Sequence, residues 1–125
     1  MKRLLFAVLG LAILTGCIKS EHIVKSTFAA FSYRVDEKNI AGMHFDAYDV
    51  YEVYRFVDTG TAEKSSRKYS PKGEAIGDID ICSYTYSYPT ITITYKNYDG
   101  KDKTVTGQFL DYDTFRIGKE EYIRQ

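Results

Sequence analysis

From Asn39 onward, apolar and polar positions alternate with a period of two, in short runs separated by turn residues. That period is the mark of strands with one face buried. The clearest run is Thr90 to Lys96, where Ile91, Ile93 and Tyr95 share one face and Thr90, Thr92 and Thr94 the other. Val50 to Val57 carries large side chains on both parities: Tyr51, Val53, Arg55 and Val57 against Val50, Glu52, Tyr54 and Phe56. Further strands are expected at Ile40 to Phe45, Thr104 to Leu110, Thr114 to Ile117 and Glu121 to Arg124, with a polar, exposed one at Thr61 to Tyr69. Ile79 to Tyr88 changes phase, because Ile79 and Ile81 have one parity and Tyr84, Tyr86 and Tyr88 the other. One face cannot bury both sets. Either a bulge near Cys82-Ser83 or burial of both faces at different heights reconciles them.

The turns are chemically well marked. Asp58-Thr59-Gly60-Thr61, Ser70-Pro71-Lys72-Gly73 and Asn97-Tyr98-Asp99-Gly100 carry the residues that tight turns favour. Pro89 cannot donate to a ladder and belongs in a connection. About eight short strands in sequence, joined by short turns, predict an all-β fold: a small antiparallel meander closed into a barrel over residues 39–125. Ahead of it, residues 17–38 are ambiguous. Val24, Phe28 and Phe31 fall on one face of a short helix that Ser20 could cap, and the same stretch also reads as a tether.

The N-terminus follows a different pattern. Lys2 and Arg3 precede the uncharged run Leu4 to Leu14, which is too short for the roughly 20 residues of a spanning helix. A basic start, a short apolar core and small residues before a break form the layout of an export signal. Leu14-Thr15-Gly16-Cys17 resembles the bacterial lipoprotein signal. The resemblance implies removal of residues 1–16, lipidation of Cys17 and a membrane anchor, and the lack of Asp after the Cys implies the outer membrane. Loss of Lys2 and Arg3 from a chain with 17 basic and 17 acidic residues leaves a net charge of −2. No concentrated basic face is in sight, which argues against nucleic acid as a partner. Once Cys17 is lipidated, Cys82 is the only thiol and no intrachain disulfide can form.

The barrel region resembles the small lipocalin-like lipoproteins of Bacteroidota-type bacteria. The matching stretches are Tyr54-Arg55-Phe56-Val57-Asp58-Thr59-Gly60-Thr61, Ile91-Thr92-Ile93, Thr114-Phe115-Arg116-Ile117 and Tyr122-Ile123-Arg124. Gly42-Met43-His44 stands where members often carry Gly-x-Trp. The resemblance implies a small β-barrel that binds an apolar ligand. Together with the anchor, the leading reading is a lipid-anchored, non-catalytic module of the cell envelope with a small-ligand-binding or structural role and no cofactor.

Tyrosine supplies apolar area and a hydroxyl that can orient a ligand. Tyr54, Tyr84, Tyr86, Tyr88 and Tyr95 are therefore the candidates for lining a site for a small apolar ligand. The exposed loops 70–78 and 97–102 support a second reading, a proteinaceous inhibitor of an envelope hydrolase. Phe56-Val57 followed by Asp58-Thr59-Gly60-Thr61 also resembles the motif of retroviral-type aspartic proteases, which implies a homodimer using Asp58 from both chains. The same four residues make an ordinary hairpin turn. His22 and His44 are too isolated to predict a metal site, and Cys82 reads as a small buried residue.

Overall fold

A computed structural model describes residues 22–125 of the chain; the lipidation motif at Leu14–Cys17 lies outside them. The strands are β1 (Thr27–Val35), β2 (Lys38–Ile40), β3 (Met43–Phe45), β4 (Tyr48–Asp58) and β5 (Thr61–Ser70), followed by β6 (Gly73–Ser87), β7 (Thr90–Lys96), β8 (Asp102–Asp111), β9 (Thr114–Ile117) and β10 (Glu120–Arg124). Eight of them close into a barrel in the order β1-β10-β9-β8-β7-β6-β5-β4. Every neighbouring pair in it is antiparallel, as the meander predicts.

The membership differs from the sequence expectation in three places, one being that β6 starts at Gly73 and takes in residues 73–78 of the expected loop. Residues 27–35 form neither a helix nor a tether. They make the strand that closes the barrel, paired with β4 from Thr27↔Arg55 to Val35↔Tyr48 and with β10 through Phe28 and Ala29. The helix-like spacing of Val24, Phe28 and Phe31 loses to this pairing, which satisfies backbone groups on both flanking strands. The barrel thus starts at Thr27 rather than at residue 39. Conversely, Ile40 to Phe45 is not a barrel strand. It belongs to the separate β2–β3 hairpin, exposed throughout, inserted between β1 and β4.

Alternation decides what faces the lumen. Phe28, Tyr54, Phe56, Tyr84, Ile91, Ile93, Phe109, Phe115 and Tyr122 point inward and form one buried cluster. Phe115 sits at its centre: its ring is 5.1 Å from those of Phe28 and Phe109, and it stacks on Tyr122 at 4.9 Å with planes 9° apart. Gly107 lies opposite Ile91 in the ladder, and its lack of a side chain makes room for Ile91 and Ile117.

The two ends of the barrel differ. At the end holding the β4–β5 and β8–β9 turns, Ile23 is fully buried as a plug. Lys25 N–H donates to the Phe56 carbonyl at 2.7 Å, and Phe56 N–H donates to the Ser26 carbonyl at 2.9 Å. At the opposite end the strands part. Of the long strand β6, only Ser83–Ser87 pair with β7. Residues 73–82 have β5 as their one partner strand among the described residues.

Candidate binding site

The five candidate tyrosines do not line one cavity. Tyr54 and Tyr84 are core residues, 2% and 7% exposed. Burial raises the phenol pKa of each, and the Tyr84 hydroxyl donates to the Asp58 carbonyl at 2.5 Å. Tyr86 and Tyr88 shut the closed end, where Tyr86 packs 5.3 Å from Phe109 and Tyr88 packs 5.1 Å from Tyr112. Burial, helped by Tyr88 and Tyr112, pushes the Tyr86 phenol up to about 12, and its buried hydroxyl has no hydrogen-bond partner among the described residues. Only Tyr95 belongs to the open end. The lumen is thus filled by side chains, as in other small barrels.

The open end carries a polar cluster that the sequence reading missed. Glu52 projects inward from β4 and accepts a 2.9 Å hydrogen bond from the Tyr122 hydroxyl. Lys64 Nζ lies 3.7 Å from Glu52 Oε1 and 4.6 Å from the centroid of the Tyr95 ring, so a cation rests between a carboxylate and a π face. The available signal was parity, since Glu52 falls in register with Tyr54 and Phe56. Cys82 is buried beside this cluster. Burial pushes its thiol up to about 11, with Asp80 reinforcing the shift and Lys64 opposing it. At neutral pH it is a protonated packing residue, not an activated nucleophile.

Beside the cluster, where β6 leaves β7, a cleft of about 530 Å³ opens. Its walls include Tyr95, Cys82, Ile79, Ile81, Asp80 and Lys96. This volume falls in the range of ligand pockets. The bulge expected near Cys82-Ser83 is absent: from Ile79 to Ser87 the strand alternates without a break, and the bulge in β6 lies earlier. Ser65 pairs with Ile79 and Arg67 with Ile76, so Gly77 and Asp78 together oppose Ser66 in a bulge. A Cβ on Gly77 would come within 3.2 Å of the Ser66 carbonyl oxygen. Cys82 and Tyr84 face the lumen, and Ile79 and Ile81 face outward into solvent.

The remaining candidates have local roles. The Asp58 carboxylate accepts from Thr61 N–H at 3.1 Å and so fixes the β4–β5 turn, where Gly60 has φ +114°. His44 bridges Asn39 and Asp46 at 3.0 Å each on the β2–β3 hairpin. His22 packs on Tyr112 at 4.7 Å and belongs to the closed end rather than to a tether. The expected loop 70–78 is not one: only Pro71-Lys72 turn, and residues 73–78 are the start of β6, while 97–101 connect β7 to β8; both connections lie at the open end. No known protein family, curated protein or solved structure matches this chain.

Proposed function

We propose that this chain is a non-catalytic cell-envelope protein, held to the membrane by lipid on Cys17, that works by binding another protein at the open end of its barrel. The observation that carries the reading is a lumen packed with rings beside an open end that leaves Ile79 and Ile81 half or more exposed. A filled barrel stores nothing, and exposed apolar side chains grouped at one place mark interaction surfaces. The anchor position agrees. His22 belongs to the closed end, and the five residue steps from Cys17 can span at most about 17 Å. Lipid on Cys17 therefore keeps the closed end toward the membrane and directs the open end away from it.

The cleft beside Tyr95 supports a second reading, in which a small apolar ligand binds there and not in the lumen. Site-directed photo-crosslinking in the native host tests both. A crosslinker at Ile81 or Lys96 should give a discrete protein adduct, and one at Arg116, on the far wall, should not. Adducts that do not depend on position would end the protein-binding reading. Native mass spectrometry showing a retained small molecule, lost in Tyr95→Ala and kept in Tyr86→Ala, would establish the second. Metabolic labelling with palmitate, abolished in Cys17→Ala, checks the anchor.

A further inference from the structure

The upper half of β6 is an open strand edge. Residues 73–82 are hydrogen-bonded to β5 on one side, and β7 turns away from them on the other. Every residue from Gly73 to Ile81 is exposed. The bulge at Gly77-Asp78 shifts the alternation by one, so Ile76, Ile79 and Ile81 all face outward, 54%, 51% and 67% exposed. Asp78 and Asp80 fall on the opposite parity, and among the described residues neither makes an ion pair. A row of unpaired backbone groups flanked by apolar side chains is a template for another strand.

We infer that this edge binds an extended segment of a partner protein by strand addition, and that the segment alternates apolar with basic residues. The inference rests on the protein-binding reading and specifies its geometry. Backbone pairing to β6 sets the segment's register. Its outward side chains then lie beside Ile76, Ile79 and Ile81, where apolar groups lose water-exposed area. Its inward side chains come beside Asp78 and Asp80, where lysine or arginine pairs with free carboxylates. The same acids select against a second copy of this chain, which would bring its own Asp78 and Asp80 to the shared edge. Like charges across a strand pair are destabilising. The edge thus repels itself and accepts a basic strand, which is specificity by repulsion as well as attraction.

Fluorescence anisotropy on the full chain tests this with two labelled peptides matching residues 73–82 in length, one alternating valine with lysine and one alternating valine with glutamate. The lysine peptide should bind about tenfold or more tightly than the glutamate peptide. In protein carrying Asp78→Asn and Asp80→Asn together, the preference should vanish while the melting temperature stays put, since no lysine is then set opposite Lys64. N-methylation of the peptide amides along one edge should abolish binding, and along the other edge should leave it intact. Equal binding of both peptides, an unchanged preference in the double variant, or equal sensitivity of the two peptide edges would overturn the inference. A host-protein crosslink from Ile81 that persists in the double variant would retain the protein-binding reading and remove this mode of binding.

Discussion

Tyr122 and Glu52 meet across the barrel from positions 70 residues apart, the Tyr122 hydroxyl donating to Glu52 Oε2 at 2.9 Å. The ring of Tyr122 is buried against Phe115, and Glu52 keeps Lys64 as a second partner at the open end. Tyr122→Phe should therefore cost about 1 kcal/mol, because the acceptor it deserts is not stranded. For a domain of this size that is a melting-temperature loss of about 4–8 °C. Tyr122→Ala removes the ring as well and should cost about 3–5 kcal/mol. Chemical denaturation of the two variants checks the split; equal losses would mean that the hydroxyl, not the stacked ring, holds β10 in place.

Stability should fall in alkali in a defined order. Folding raises the Cys82 thiol from 9.0 to about 11 and the Tyr86 phenol from 10.0 to about 12, and it raises Tyr54, Tyr84 and Tyr122 as well, burial being the largest cause throughout. A group raised by folding contributes its full stabilisation below its unfolded pKa and loses it as pH climbs through the folded value. Urea midpoints should then begin to drop above about pH 9, where the unfolded thiol ionises, and steepen above about pH 10 with the phenols. Cys82→Ala should remove the first step and leave the second. A midpoint that rises across this range would contradict the assignment of these groups as buried and neutral.

Gly107 should reject the substitution that usually helps a glycine. Replacing Gly by Ala where the backbone tolerates it commonly stabilises by about 0.4–1 kcal/mol. Here the new Cβ would lie 3.1 Å from Ile117 Cγ1, 3.1 Å from Ile91 Cγ2 and 3.2 Å from the Arg116 carbonyl oxygen. Two branched side chains and a strand backbone must all move, so Gly107→Ala should cost about 1–3 kcal/mol, read from its urea midpoint. A stabilised variant would mean that β8 and β9 can separate at no cost.

The sequence made the barrel legible because most strands alternate cleanly, as Ile91, Ile93 and Phe115 illustrate. It could not tell which parity faces the lumen when both are apolar. In β6, hydropathy favours Ile79 and Ile81 for the interior, yet Tyr84 takes it, because the inward position opposite Ile93 is fixed by pairing with β7. From Ile79 to Ser87 the alternation is unbroken, so the two isoleucines and Tyr84 simply take opposite faces; the bulge lies earlier, at Gly77-Asp78, and brings Ile76 onto the outer face with them. β1 was obscured for a related reason. Phe28, Ala29 and Ala30 are all buried, and the register slips between Phe31 and Tyr33, so no period of two survives. The open-end cluster needed only a stricter use of parity, since Glu52 shares the inward face of Tyr54. Lys64 was hidden in a strand whose polar composition suggested solvent on both sides.

The domain boundary gives the sharpest test of that lesson. A chain beginning at residue 39 keeps every strand that alternates clearly but loses β1, leaving β4 and β10 each without one neighbour. It also loses Phe28, whose ring lies 5.8 Å from Phe56 and 5.9 Å from Phe109 and carries the Arg124 guanidinium 4.7 Å above it. Such a chain should show no cooperative unfolding transition. A chain beginning at residue 22 retains the Ile23 plug and the Lys25–Phe56 and Ser26–Phe56 backbone bonds, and should fold like the whole protein. Within it, Ile23→Ala should cost about 2–5 kcal/mol, the range for emptying a buried aliphatic site. Circular dichroism melts of the three proteins decide the point. Cooperative folding from residue 39 would show that β4 and β10 can close the barrel without β1, and that residues 22–35 only decorate it.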